Sequence, residues 1–193
     1  MWVADDQGAR VVRVSPKTNR IVARVAVGNG PADIAFAGTT AWVINHRDLM
    51  LTRIDLRSNR SAPVATVGRE GQAAPERMVW AAGKLWITGR GVDLLSVNPA
   101  HGKVEATIEI GASGIDVAVA GDALVVPTRS AETDGRGFPT MNAVQRVSVS
   151  TGAVTTLARP VGRVDVHGLV ARNASAWLAD NTSGRLYRLV LAR

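Results

Sequence analysis

Short apolar runs alternate with polar residues along the whole chain, and the same order of runs recurs. One complete unit shows the pattern: an apolar run over 34–37, a second that begins at Trp42, an alternating run over 51–56 and a fourth over 63–67. Gly, Asn, Asp, Arg and Ser stand between these runs. Alternation over four to six positions between turn residues predicts β-strands. The unit therefore predicts four antiparallel strands.

The unit recurs about every forty residues. Each copy is marked by an apolar strand that opens with Trp, or with Val in one copy, and by a later strand that carries Arg or Ser; the marker positions are Trp2, Trp42, Trp86, Val125 and Trp177. A period near forty, carried by strands without a helical pattern, is typical of propeller blades. The sequence thus predicts one all-β domain over 1–193, a β-propeller of about four and a half four-stranded antiparallel blades. The predicted units are 1–28, 29–68, 69–111, 112–162 and 163–193.

The predicted strands do not close a simple ring. The first unit begins with its second strand and the last unit ends after its third, so eighteen strands are predicted. Three hypotheses remain open. The chain is part of a larger propeller, it leaves an open or distorted blade, or residues 169–173 serve as the innermost strand of the first unit. The first hypothesis is favoured, because an uncapped arc exposes the apolar faces of its end blades. All three predict association or marginal stability in isolation, and the first also predicts further blades from a longer chain.

Composition removes several classes of function. The chain has no Cys, so Cys-ligated metal and disulfides are excluded. Its net charge of +7 comes almost wholly from Arg, but the arginines are spread over the repeats without a stacking ladder of aromatic residues, which argues against nucleic acid. No apolar run approaches the length of a membrane helix. Residues 1–6 lack the pattern of a secretion signal, so we expect a cytoplasmic protein or a piece of a longer one.

The repeat resembles a known family. Residues 2–35 contain Trp-Val-Ala-Asp, Val-Arg-Val-Ser-Pro-Lys-Thr, Val-Ala-Val-Gly and Pro-Ala-Asp-Ile-Ala, a pattern similar to the bacterial YVTN/NHL-type β-propeller repeats, a group that includes virginiamycin B lyase-like propellers. The resemblance covers almost the whole chain. It implies a propeller fold and one of several roles: binding or scaffold domain, sensor module, or, in some members, enzyme.

A lyase-like site would need several His residues at the starts of innermost strands, together with a carboxylate and a divalent metal. This chain offers one such residue, His167, and has Ala32, the region of Arg77, and Ile115 at the equivalent positions. A metal site needs three or more converging ligands, and a general base needs a positioned partner. We therefore predict no metal site, no cofactor and no catalytic residue, with His167 as the candidate if the chain is a metal-assisted lyase or hydrolase.

The favoured hypothesis is a non-enzymatic binding, scaffold or sensor domain. Its partner would be a protein, a peptide or a small polar ligand, bound at the funnel face and at the blade loops. A polar segment over 128–140 predicts the longest of these loops. The predicted binding residues are His167, Asp33, Asp116 and Asp165 at the funnel, and Arg90 and Arg136 on the loops. A structural repeat segment of a larger protein is the remaining alternative.

Overall fold

The chain folds into antiparallel β-sheets. The computed structural model describes residues 1–68, 74–133, 139–160, 164–172 and 174–191. Those residues form nineteen strands in five sheets and contain no helix, which confirms the predicted all-β architecture. Accordingly, no helix in these ranges has the length and apolarity to cross a membrane.

The sheets follow one another in chain order. The first contains β1 (Trp2–Asp5), β2 (Arg10–Val14) and β3 (Ile21–Ala26). The second contains β4 (Pro31–Ala37), β5 (Thr40–Asn45), β6 (Met50–Asp55) and β7 (Ser61–Thr66). The third contains β8 (Ala74–Ala81), β9 (Lys84–Arg90), β10 (Val92–Asn98) and β11 (Lys103–Ile108).

The fourth sheet contains β12 (Ser113–Gly114), β13 (Ala118–Ala120), β14 (Ala123–Thr133), β15 (Pro139–Ser148) and β16 (Val154–Ala158). The fifth contains β17 (Val166–Arg172), β18 (Ser175–Asp180) and β19 (Leu186–Val190). The innermost strand of the fourth sheet is split into β12 and β13, which accounts for nineteen strands where eighteen were predicted. The hypothesis that 169–173 completes the first sheet is wrong, because β17 pairs with β18 of its own sheet.

The polar segment over 128–140 is largely not a loop. β14 and β15 extend into it as a long hairpin, with Arg129 opposite Met141 and Thr133 opposite Pro139. Polar composition does not distinguish a loop from a hairpin, because β-propensity depends on the context of each strand. Residues 134–138, which include Arg136, lie outside the described residues.

The marker residues of the first four units pack against the following sheet. Trp42 and Trp86 are almost fully buried, and each joins an apolar cluster with side chains of the next sheet, such as Leu85 for Trp42 and Leu124 for Trp86. Trp2 packs the same way on the second sheet, and Val125 on the fifth. The repeated apolar strand is therefore the main contact between neighbouring sheets.

The series of sheets is open at its end. Apolar clusters join each sheet to the next, but no such cluster of described residues joins the fifth sheet to the first. One face of the fifth sheet carries the exposed side chains of Val170, Trp177, Leu186 and Val190, and we call it the uncovered face. Trp177 is 38% exposed, whereas Trp86 is 3% exposed. The marker position is therefore buried in the second and third sheets, whereas in the fifth sheet no sheet of described residues covers it.

Candidate binding face at the start of the innermost strands

The predicted funnel residues lie at one end of the sheets. The innermost strands start at this end. The strand that follows each of them in the sequence ends here, because neighbouring strands are antiparallel. The loops after the second strands therefore meet the starts of the innermost strands on one face. We call it the strand-start face.

Three of the four innermost strands have a β-bulge close to their start. The ladder to the second strand skips one residue in three sheets, namely Ala32, Glu76 and His167. A bulge redirects the skipped residue away from the regular alternation of the sheet. The fourth sheet shows a larger break at the same place, between Gly114 and Ala118. Sequence reasoning placed His167 at this register but did not anticipate the bulge.

Asp33 links the second and third sheets. The backbone N–H of Ile34 donates to its Oδ1 at 2.8 Å, and the backbone N–H of Met78, in the third sheet, donates to its Oδ2 at 2.7 Å. Burial raises the pKa of Asp33, although these two hydrogen bonds and the charge of Arg77 act in the opposite direction. The carboxylate therefore holds the starts of two innermost strands together.

Asp116 occupies the equivalent position two sheets further on. The backbone N–H of Val117 donates to Oδ1 of Asp116 at 2.8 Å. The Asp116 carboxylate also accepts a hydrogen bond from the backbone of Leu169 in the fifth sheet. Burial raises the pKa of Asp116. The backbone hydrogen bond from Val117 and the charge of Arg77 lower this pKa, whereas the negative charge of Asp33 raises it. The same link between sheets is thus built twice.

Arg77 takes the place of this Asp in the third sheet. The register of the ladders aligns Asp33, Arg77, Asp116 and Gly168 at one position of the innermost strand. Arg77 is exposed, its Nη1 donates to the backbone oxygen of Glu76 at 3.0 Å, and its charge acts on both aspartates. Sequence reasoning missed Arg77 as a site residue. The alternation of Asp, Arg and Asp at equivalent positions was the signal available.

Arg90 lies beside this group. Its Nε is 3.0 Å from Oε1 of Glu76, and its own side chain is 73% exposed. Glu76 is the bulge residue of the third sheet, so the ion pair joins the start of β8 to the end of β9. Two guanidinium groups of one sheet, Arg77 and Arg90, are therefore reachable from solvent on the strand-start face.

The other predicted residues are only partly placed. Asp165 precedes β17, and its backbone N–H donates to Oδ1 of Asp180 at 2.9 Å. His167 is described at its backbone only, as the bulge residue of β17, so its predicted role stays a hypothesis. Arg136 lies outside the described residues.

The last residue of β18, Asp180, closes the loop that follows this strand. Asp180 accepts hydrogen bonds from the backbone of Thr182 and from both the backbone and the hydroxyl group of Ser183. Burial by itself would raise the pKa of Asp180, but these bonds and the one from Asp165 together lower it. This carboxylate is therefore a loop cap as well as a link to the start of β17.

A charged network also joins the loops of the first two sheets. Arg47 Nη2 lies 2.7 Å from Asp6 Oδ2, and His46 Nε2 lies 3.4 Å from Asp6 Oδ1. Asn29 donates from its backbone and its side chain to Asp48 at 2.6 and 2.9 Å. The loops of neighbouring sheets are thus held in one surface.

The described residues do not fit a metal centre. Among them, no group of three or more His, Asp or Glu side chains converges closely enough to hold an ion. The oxygens of Asp33 already accept backbone hydrogen bonds from two sheets. We therefore derive no metal-assisted step from this face.

The raised pKa of Asp33 and the lowered pKa of Asp55 predict opposite dependences of stability on pH. The pKa of Asp33 is raised by burial, so its contribution to stability is fully present below the ordinary pKa of 3.8 and is lost as the pH rises through the folded-state value. The pKa of Asp55 is lowered, chiefly by the backbone and hydroxyl hydrogen bonds of Ser58, so its contribution is present above 3.8 and is lost as the pH falls.

Urea unfolding from pH 3 upward measures this difference. The stability advantage of the wild type over Asp33→Asn should shrink as the pH rises, and its advantage over Asp55→Asn should grow. Parallel pH profiles for the two variants would contradict the assignment.

Comparison with known proteins places this geometry in a fold. No protein-family model matches the sequence, and no curated protein matches it either. Solved structures do match. Virginiamycin B lyase from Staphylococcus aureus is 16% identical, with 99% of this chain and 62% of that chain covered at a TM-score of 0.77. Hydrazine synthase from Kuenenia stuttgartiensis is 13% identical, with 98% of this chain and 62% of that chain covered at a TM-score of 0.74. A chain of a nidogen/laminin complex is 10% identical, with 98% and 71% covered at 0.73.

These likenesses concern the fold alone, because every identity is low. The chain spans less than two thirds of the lyase chain and of the hydrazine synthase chain that it matches. The finer resemblance to YVTN/NHL repeats stays a prediction. The consecutive antiparallel sheets and the propeller proteins that they match together show that this chain has a β-propeller fold.

Proposed function

We propose that this chain is a non-enzymatic binding or scaffold domain whose partner contacts the strand-start face. The observation that carries the proposal is the row of charges on three neighbouring innermost strands, Asp33, Arg77 and Asp116. The aspartates are occupied by backbone donors, while the guanidinium group between them faces solvent. Such an arrangement suits recognition better than proton transfer, since a general base needs a free and positioned oxygen.

The partner would carry acidic groups. Arg77 and Arg90 are both exposed on this face, and planar guanidinium groups bind carboxylates with paired hydrogen bonds. In the free chain Arg90 is paired with Glu76, so an acidic ligand would have to share the guanidinium group of Arg90 with Glu76. We therefore propose an acidic protein or peptide as the ligand, with Arg136 and His167 as further contacts that the sequence suggests.

Proteins with similar folds have different roles. One neighbour is a lyase, and another is part of a nidogen/laminin complex. Fold alone does not decide between such roles, so the choice rests on the residues of this chain.

Acidic peptides provide the test. A library of Asp/Glu-containing peptides would be screened against the immobilised chain, and the affinity of the selected peptides would be measured by fluorescence anisotropy. The double variant Arg77→Ala/Arg90→Ala should weaken binding by about a hundredfold or more, because each of the two lost charge-assisted hydrogen bonds costs about 1.5–3 kcal/mol.

The matched control is Arg57→Ala/Arg60→Ala. These two exposed arginines lie in the turn between β6 and β7, at the opposite end of the sheets, so the control removes the same charge from another face. Equal loss of binding in both double variants would indicate a general charge effect and would overturn the proposal.

A structural repeat segment of a larger ring is the second candidate function. The uncovered face of the fifth sheet favours it, since Trp177 takes the position that is buried in the second and third sheets. Further sheets would cover this face, and the binding role would then belong to the complete ring.

A further inference from the structure

The outermost strands of the first four sheets differ in how their free edges are protected. Within the described residues, β3, β7, β11 and β16 each pair with one neighbour only. Proteins commonly protect such an edge from pairing with another molecule by placing charged residues or Pro on it. β3 carries Arg24, β7 carries Pro63, and β11 carries Lys103 and Glu105. β16 reads Val-Thr-Thr-Leu-Ala and carries neither kind of residue.

The uncharged stretch is longer than β16 itself. Residues 147–158 contain no charged residue and no Pro. Arg146 stands just before this stretch, and its Nη2 lies 3.0 Å from Oδ1 of Asp122. The fourth sheet has its outermost strand in place and is joined by apolar clusters to the third and fifth sheets. The free edge of β16 is therefore the outer edge of a complete sheet.

The backbone of β16 is oriented to pair with a further strand. Ser148 N–H donates to the carbonyl oxygen of Ala153 at 3.0 Å, so the peptide groups of Ala153 face β15. The ladder to β15 is regular from 154 to 156. Because orientation alternates along a regular strand, Thr155 also faces β15, whereas the peptide groups of Val154 and Thr156 face away from it.

The sequence of β16 is complementary to itself. In an antiparallel pair of two copies centred on Thr155, Thr155 lies opposite Thr155 and Val154 lies opposite Thr156. Cross-strand pairs of Thr and of β-branched residues stabilise a sheet. All three residues are exposed in the single chain, Val154 by 38%. Pairing would therefore cover an exposed apolar side chain without bringing like charges together.

The other outermost strands lack this property. Antiparallel pairing of β3 about Arg24, or of β11 about Glu105, would place a charged residue opposite its own copy, and like charges directly opposite are destabilising. Pro63 removes one backbone donor from β7. Among the four strands, the observations thus favour β16 as a contact between copies.

We propose that two copies of this chain associate through the outer edge of β16. The two strands pair antiparallel about a two-fold axis at Thr155, and the fourth sheets of both copies become one continuous sheet. Main-chain hydrogen bonds between Val154 of each copy and Thr156 of the other hold the pair. Because the paired strands are antiparallel, the two strand-start faces point in opposite directions, so the dimer presents two separate binding faces.

Disulfide cross-linking tests the register of this contact. The chain contains no Cys, so a single introduced Cys reports on one position. At the proposed axis the two Cα atoms of residue 155 form a pair without hydrogen bonds, about 4.5 Å apart, which a disulfide can span. Thr155→Cys, oxidised with copper phenanthroline, should therefore form a covalent dimer.

Thr156→Cys is the matched control for cross-linking. It makes the same change at the next residue, which is also exposed but lies opposite Val154 of the other copy rather than opposite itself. We expect its covalent dimer to form at least about tenfold more slowly than that of Thr155→Cys, because the two Cys residues would lie beyond the reach of a disulfide.

Light scattering tests the association without a cross-link. The mean mass of the wild type should rise with concentration toward twice the 20.3 kDa of one chain. Thr155→Lys should weaken the dimer by about tenfold or more, since it places like charges opposite each other. Thr107→Lys makes the same change on β11, at an exposed position of another outermost strand, and should leave the association unchanged.

Three outcomes would overturn the proposal. The first is a wild-type mass of one chain at every concentration. The second is an equal rate of cross-linking for Thr155→Cys and Thr156→Cys. The third is an association that Thr155→Lys leaves intact, which would assign the contact to another surface. Thermal melting of each variant, with an unchanged midpoint expected, confirms that these exposed substitutions leave the fold in place.

Discussion

Replacement of Trp86 by Ala should lower the free energy of unfolding by about 3–5 kcal/mol. The indole group is 3% exposed and packs with apolar residues of the fourth sheet, including Val117 and Leu124. Its Nε1–H donates to the carbonyl oxygen of Ala81 at 3.2 Å, so that oxygen also loses a partner. The cavity left between two sheets cannot collapse without moving one of them. The urea midpoint of the variant, with the slope held constant, measures the effect.

The matched control is Trp177→Ala. This Trp occupies the same position of the repeat but lies on the uncovered face, where its main described contact is with Arg188. Its replacement should cost only about 1 kcal/mol, which is the range of an exposed cation–π pair. If the two variants lost equal stability, the marker position would not act through packing on the following sheet. In a larger ring, by contrast, Trp177→Ala should approach the cost of Trp86→Ala.

Replacement of Gly89 by Ala should cost about 2–3 kcal/mol. A Cβ atom at this position would lie 2.1 Å from the carbonyl oxygen of Ala74 and 2.8 Å from the backbone nitrogen of Glu76. Both contacts are with backbone, so no side chain can rotate away and β8 itself has to move. Because β8 carries Glu76 and Arg77, the same change should alter the strand-start face. Thermal unfolding measures the loss in stability.

Gly168→Ala provides the control for this substitution. Gly168 also lies near the start of the sheet ladder, but its Cβ would meet only the Ala179 side chain, at 3.8 Å. We expect this variant to be neutral or more stable by up to about 1 kcal/mol, since Ala restricts the unfolded chain. A loss of stability at Gly168 equal to that at Gly89 would show that glycine flexibility, rather than close approach, decides the effect.

The sequence predicted the sheets well because their cause is local. Each strand is an alternating run between turn residues, and the marker residues recur in register, so the strand order within each unit follows from the pattern. The hairpin of β14 and β15 was interpreted as a loop because the sequence over 128–140 shows no alternation of apolar and polar residues. Composition alone could not distinguish the two.

The candidate site was predicted only in part, because its contacts join distant residues. Asp33 was identified, but its bond to Met78 depends on how two sheets meet, 45 residues apart. Arg77 was considered only as a position unable to bind metal. Its interaction with Asp33 and Asp116 emerges when the innermost strands are aligned by their ladders, and one skipped residue in each strand shifts that alignment.

The skipped residue has a consequence for how such a chain can change over evolution. Strand residues that pair in a regular ladder follow the alternation that divides side chains between the two faces of a sheet, so their replacement is constrained by what packs on those faces. Ala32, Glu76 and His167 are exempt from that pairing, and they already differ in size and charge. A repeat of this kind can therefore acquire new chemistry one sheet at a time, while the ladder that holds each sheet together stays the same.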